Sequence, residues 1–380
     1  MLNFFGVPAN ADTPIHVKTS TNPSADEISP ASAAESSGPL ETGAQRLPLV
    51  ALQAWQKEAF GMFIHFGMST FDGAEFSAGD KPSAFYTPDA LDVDQWVRVA
   101  RDAGMKYAVL TAKHVSGHCL WPSRFTDYHV GTGGNRTDVV GEFVSACRRH
   151  GIKPGLYYCL WDNHHKFGSV TPSDVMAWNG RQQGSNENSG NPLDVLRPAF
   201  TTVEANTFFL NQITELLTQY GNIFEMWIDI PGVVGRAFRQ HLYREIARLQ
   251  PDTVIMMNNG FGDGTQYPVD YAWPADLMAI ERWLPNSTAP FNPWREIEGK
   301  RRYLPAEVCD PIGREWFFTD ADQARCDEEL LGMFLTCRGR NTNLLLNVPP
   351  DRSGRIPEKF VEPLIRLRRN LDLLGFEISS

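Results

Sequence analysis

A chain of 380 residues with 42% hydrophobic content can bury one large core or two medium ones. Its formal net charge of −10 at pH 7, with no block of Lys or Arg, excludes the basic stripe that grips nucleic acid. No run of about 18 apolar residues occurs, so no membrane span is expected, and the six scattered cysteines lack CxxC or zinc spacing and read as free thiols.

Residues 1–46 are rich in Ser, Ala, Pro, Thr and Glu without an apolar period, and read as an extended or disordered arm. No basic segment leading into a long apolar stretch opens the chain, so no secretory signal is evident and a cytoplasmic location is the expectation. From Leu47 the texture changes. Apolar runs expected to be strands cover 61–66, 107–112, 154–160, 224–230, 254–258, 277–280 and 343–348. Helical periodicity separates them over 93–103, 139–150, 202–220, 235–249 and 321–338, and a last helix is expected over 357–373. Asp92 and Asp138 are candidate N-caps, and Gly104 and Gly151 candidate stops. The polar, Gly/Asn-rich stretch 163–200 reads as a long loop after the third strand. Alternating strands and helices with short connections argue for a parallel sheet, and this many units suit a (β/α)8-like TIM barrel over residues 47–380; a doubly wound sheet is the alternative.

In such sheets ligands bind at the carboxyl ends of the strands. The first strand ends at His65, the second at Lys113 and His114, with His118, Cys119 and Trp121 in the loop that follows. The third ends at Tyr158 and Trp161, the fourth carries Trp227 and Asp229, the fifth ends at Asn258 and Asn259, the sixth at Glu281, and the last at Asn347. On a barrel these side chains make one ring, holding two carboxylates among imidazoles, an ammonium and indoles. A glycosidase needs such a set, with one ionised carboxylate as nucleophile and one protonated acid for the leaving group. The plainer readings are that Asp229 caps the next helix and that Glu281 pairs with Arg282. His164 and His165 have no third metal ligand spaced with them and read as surface or subsite residues. His16, His150 and His241 are expected to face solvent. No GxSxG occurs, which removes support for a serine hydrolase.

Longer motifs narrow this. GMFIHFGMSTFDGAEF, AGMKYAVLTAKHVSGHCLWPSRFTDYHV, RTDVVGEFVSACRRHGIKPGLYYCLWDNHH, WIDI and GRNTNLLLNVPPDRSGRIP occur in this order. Over roughly residues 52–372 the chain resembles glycoside hydrolase family 29, the α-L-fucosidases. The resemblance implies a retaining, exo-acting release of α-L-fucose from fucosylated glycans, without metal or cofactor. Asp229 would form the covalent glycosyl-enzyme, Glu281 would be the acid/base, and His65, Glu75, Lys113, His114, Trp121, Tyr158 and Trp227 would bind the sugar.

Three departures from the family pattern stand out. Where the family often has KHHDG this chain has KHVSG, so Val115 replaces an imidazole, and a sugar hydroxyl left unpaired costs about 1–3 kcal/mol. The acid/base varies in position in the family, which keeps Glu296, Glu298 and Glu307 as alternatives to Glu281. Many relatives carry a C-terminal β-sandwich, whereas a single catalytic domain without one is expected here. The competing reading is a non-catalytic sugar-binding protein on the same barrel, or a related glycosidase with altered L-sugar specificity; the retained Asp229 argues against the first.

Overall fold

A computed structural model describes residues 43–167, 202–286 and 291–376. The expected arm lies outside the described residues except for 43–46, and the expected long loop lies outside them from residue 168 onward. Residues 43–46 are not part of a free arm. The main chain of Ala44 bonds to Arg301, and Arg46 reaches the Asp276 carboxylate and the Tyr243 hydroxyl.

Eight strands form one parallel sheet: β1 (Phe60–Ile64), β2 (Tyr107–Lys113), β3 (Lys153–Cys159), β4 (Glu225–Asp229), β5 (Val254–Met257), β6 (Met278–Glu281), β9 (Ala306–Pro311) and β10 (Asn343–Asn347). Their order is β5-β4-β3-β2-β1-β10-β9-β6, with every hydrogen-bonded pair parallel. The two end strands meet at a seam closed largely by side chains. The Asn259 amide exchanges two hydrogen bonds with the main chain of Ala279, as a backbone unit would. Asp276 accepts from the main-chain N–H of Ile255 and donates its own N–H to the Ile255 carbonyl. The sheet thereby becomes a (β/α)8-like barrel.

The helices follow from their caps and apolar faces. Asp92 accepts from Gln95 N–H at the start of Val93–Asp102, and Asp138 from Gly141 N–H at the start of Val139–His150, which stops at Gly151 with φ +69°. Val203–Gln219, Arg236–Leu249, Asp327–Gly339 and Glu358–Leu373 complete the main outer layer. The helix expected from 321 starts at Asp327, because Asp322 instead accepts from the N–H groups of Arg314, Glu315 and Gln323 and holds that stretch as a loop. Among the described residues no helix is long and apolar enough to cross a membrane.

Two elements differ from expectation. Residues 294–311, which fall outside every expected strand and helix, hold an antiparallel hairpin of β7 (Trp294–Ile297) and β8 (Lys300–Tyr303), and then β9, a full barrel strand. Glu307 and Asp310 interrupt the apolar run of β9, which hides it. Glu307 is tolerated because the barrel interior is partly polar, and Asp310, on the opposite face of the strand, pairs with Arg325.

The register defines that interior. Gly61 pairs with Tyr107, Phe63 with Val109, Val109 with Gly155, Tyr157 with Trp227, and Cys159 with Asp229. Gly61 has to lack a side chain, since a Cβ there would sit 2.6 Å from the Tyr107 ring. At the floor, Glu307 accepts from the Tyr107 hydroxyl (2.5 Å) and the Trp227 indole (3.1 Å), and Glu225 accepts from the Trp55 indole (3.0 Å). Burial and the Glu307 charge hold Glu225 well above the usual carboxylate range, and burial pushes Glu307 up to about 7. The unfolded chain releases these protons near the ordinary carboxylate value, whereas the barrel keeps them, so stability falls as pH rises above that value. Glu225→Gln removes one such proton. Its advantage over the parent in urea unfolding should grow by about 1.4 kcal/mol per pH unit between roughly pH 5.5 and 7.5; parallel stability–pH curves would show that the pair holds no extra proton.

Candidate active site

Asp229 ends β4 facing inward. Its Oδ2 accepts from the Tyr157 hydroxyl (2.6 Å), and its Oδ1 accepts from Asn258 Nδ2 (2.8 Å) and from the N–H of Ile230 (2.8 Å). Ile230 has φ +50°, a left-handed conformation that costs a β-branched residue of order 1–3 kcal/mol and that turns its N–H back onto the carboxylate. A left-handed residue also follows the second carboxylate: Glu281 ends β6 and is followed by Arg282 at φ +60°, whose N–H donates to the Cys309 carbonyl rather than to the carboxylate.

The second N–H of Asn258 donates to Glu281 Oε2 at 2.8 Å. Two 2.8 Å bonds meeting at one nitrogen keep the two carboxylate oxygens within 5.6 Å of each other, and a planar amide brings them to about 5 Å. Burial raises both carboxyl groups. Asp229 is countered by its three donors, while Glu281 is pushed further, to about 8, by the Asp229 charge. The proton of the pair therefore rests on Glu281.

Around them the ends of β1, β2, β3 and β10 supply a wall. His65 Nδ1 lies 2.8 Å from Asn347 Oδ1, and Asn347 Nδ2 donates to the Trp316 carbonyl at 2.8 Å. The second bond fixes the amide orientation, so Nδ1 carries the proton and Nε2 of His65 is an acceptor. His114 stacks on Tyr157 at 5.6 Å, and its Nδ1 is buried without a partner among the described residues. Burial pushes His114 down to about 3 and holds His65 well below its ordinary value, so both imidazoles are neutral. Phe317 stands 4.9 Å from the His114 ring and Trp316 4.9 Å from the His65 ring, with the Arg282 guanidinium 4.8 Å over the same Trp316 indole. Glu75 is half-buried; burial raises it to about 7, against the pull of Arg282.

Of the residues expected here, His65, Glu75, His114, Asp229 and Glu281 are brought together. Trp227 lies one layer below Asp229, stacked on Tyr157 at 5.6 Å, and forms the floor. Three are placed elsewhere. Lys113, Trp121 and Tyr158 face the outer layer, against Val203–Gln219. In β2 two residues, Thr111 to Lys113, advance against one of β3, Tyr157 to Tyr158. This bulge turns Lys113 outward and returns His114 to the interior. Lys113 pairs with Asp162 at 2.9 Å, both fully buried, and lies 4.4 Å over the Tyr158 ring. The Tyr158 hydroxyl donates to Gln212, and the Trp121 indole to Glu215. The pocket tyrosine is instead Tyr157.

The alternative acids stand apart from the site. Glu296 and Glu298 are exposed on the hairpin, Glu298 paired with Arg236, and Glu307 is the floor residue described above. Val115 is fully buried in the hydrophobic core. His164 stacks on Tyr128 at 3.9 Å and His165 bonds to Asp162, so both brace a loop. His241 is exposed, but His150 is half-buried against Asp94. Asn258, Tyr157, Trp316 and Phe317 are site residues that were not singled out as binding groups. The inward parity shared by Tyr157 and Asp229 would have found the tyrosine, once the register was known.

Comparison with known proteins adds four findings. Residues 28–375 match the family model described as Alpha-L-fucosidase. Alpha-L-fucosidase 1 of Arabidopsis thaliana is 33% identical over 339 residues, covering 84% of this chain and 59% of its own length, and with the rice relative at 57% the chain spans under two thirds of the length of these curated relatives. Alpha-L-fucosidase isoenzyme 1 from Paenibacillus thiaminolyticus superposes with a TM-score of 0.64 at 25% identity, over 86% of this chain and 76% of that one. The Lactobacillus casei alpha-L-fucosidase solved with its alpha-L-fucose product shares the fold, with a TM-score of 0.63 at 23% identity over 85% and 99% of the respective chains.

Proposed function

The chain belongs to the alpha-L-fucosidase family, and from that premise we propose that it is a retaining, exo-acting glycoside hydrolase that releases α-L-fucose from fucosylated oligosaccharides or glycoconjugates. The observation that carries this reading is the Asn258 bridge. It holds two inward carboxyl groups about 5 Å apart, the separation of a double displacement rather than the 6.5–9.5 Å that admits a water between them.

In the first step Asp229 attacks the anomeric carbon and the bond to the leaving oxygen breaks. Glu281 gives its proton to that oxygen. In the second, the Glu281 carboxylate takes a proton from water as the water attacks the same carbon, and Asp229 leaves as carboxylate. The neutral imidazoles of His65 and His114 bond to sugar hydroxyls, and Phe317 and Trp316 meet the apolar methyl side. Val115 supplies no imidazole, so His65 and His114 carry the hydroxyl recognition.

The test is hydrolysis of an aryl α-L-fucoside followed by proton NMR faster than mutarotation. The α-anomer of fucose should form first. Initial β-anomer would overturn the retaining mechanism, and binding of fucosides without turnover of any of them would favour a sugar-binding protein.

A further inference from the structure

We infer that Asn258 is a positioning residue for both halves of the reaction, acting as a bridge that decides which oxygen of each carboxyl group is free to react. The inference rests on the functional reading above.

The geometry leaves the amide no freedom. Its main-chain N–H continues the ladder to the Ile228 carbonyl, and its Oδ1 accepts from the N–H of Gly260 at 2.9 Å. With the oxygen end held, only the NH2 end can face the carboxyl groups, and both of its hydrogens are used there. On Asp229, Asn258 and Ile230 both occupy Oδ1, so Oδ2, with the Tyr157 hydroxyl alone, is the oxygen free to attack. On Glu281 the bridge occupies Oε2 as an acceptor, so the acid proton is carried by Oε1. That oxygen faces away from the bridge and is the one that can deliver the proton to the leaving group.

The bridge also serves the second step. Once Asp229 is esterified it is a neutral and weaker acceptor, while Glu281, having lost its proton, is ionised. The N–H to Oε2 becomes charge-assisted at that moment, and holds the carboxylate with Oε1 toward the incoming water. Because the bridge satisfies both carboxyl groups, they do not share a proton directly, which would fix them in an unreactive pair.

Two variants test this on an aryl α-L-fucoside. Asn258→Ala should lower kcat by about 100-fold with KM within about threefold, the scale of one lost preorganised donor. Both limbs of its pH profile should move to higher pH, since each carboxyl group loses a donor that favours its ionised form. Asn258→Asp keeps the shape but, when ionised, cannot donate, and should recover less than a tenth of the lost activity; it also covers the case in which the Ala variant loosens the barrel. Unmoved pH limbs in the Ala variant, or restoration of parental kcat by Asp, would overturn the inference while leaving the functional reading intact. A parent chain that hydrolyses no α-L-fucoside would overturn the functional reading itself, and this inference with it.

Discussion

Asp229→Gly is expected to lower kcat/KM for an aryl α-L-fucoside by at least about 10,000-fold, the usual consequence of deleting a nucleophile. The fold should survive. Burial raises the Asp229 carboxyl above its ordinary value, so the native state spends free energy to hold that charge, and removing it relieves the cost. The Tyr157 hydroxyl, the Asn258 amide and the Ile230 N–H lose an acceptor, but the vacated volume opens on the pocket, where water can serve them. The melting temperature should therefore stay within about 2–4 °C of the parent, the span of roughly 1 kcal/mol in a large domain. Added azide should restore turnover and yield the β-L-fucosyl azide, because it enters from the face that the carboxylate occupied. Formation of the α-azide, or activity within tenfold of the parent, would remove Asp229 from the nucleophile's role.

Much of the barrel was legible because its strands are buried on both faces and its helices carry local signals. The 107–112 run, the Asp92 and Asp138 caps and the Gly151 stop are statements about neighbours in sequence, and each stands where it was expected. The strand β9 was not legible for the opposite reason. Glu307 points into the barrel and is satisfied by Tyr107 and Trp227, residues 200 and 80 positions away. No local pattern announces that a carboxyl group has such partners. The hairpin β7–β8 stands between β6 and β9, where a regular barrel would place a helix, and the short stretch 294–303 has too few residues to show either period.

The site divides along the same line. His65, His114, Asp229 and Glu281 come from the ends of strands, and the chain itself marks those ends. Lys113 and Tyr158 failed because face, unlike position, depends on register. One extra residue in β2 exchanges the faces of Lys113 and His114, and the choice between Tyr157 and Tyr158 follows from pairing with Trp227 and Ile228 in β4. Trp121 failed differently. Its loop returns behind the barrel, where Glu215 takes its N–H. Asn258 and Asn259 stood out only as strand-end polar residues. Their adjacent side chains point oppositely, one bridging the two carboxyl groups and the other closing the seam to β6.

Glu281→Ala is the second large expectation, and its size should depend on the substrate. For a fucoside with a sugar leaving group, which needs its oxygen protonated, kcat/KM should fall about 1,000-fold, within the range of general acid catalysis. For an aryl fucoside with a strongly acidic phenol the first step should hardly change, and the glycosyl-enzyme should accumulate for want of a base. Azide needs no base, so it should release the intermediate and give the α-L-fucosyl azide, the anomer opposite to that from the Asp229 variant. The parent's activity on sugar substrates should fall as pH rises through about 8, where Glu281 loses the proton that burial and the Asp229 charge hold on it, and the variant should lack that limb. Another carboxyl group of the pocket could act as the acid: Glu75, which burial raises to about 7. Arg282 offsets that rise and no bond ties Glu75 to Asn258, so the bridge selects Glu281. Rescue by azide in Glu75→Ala, with none in Glu281→Ala, would transfer the acid/base to Glu75 and leave Glu281 as the residue that holds it apart from Asp229.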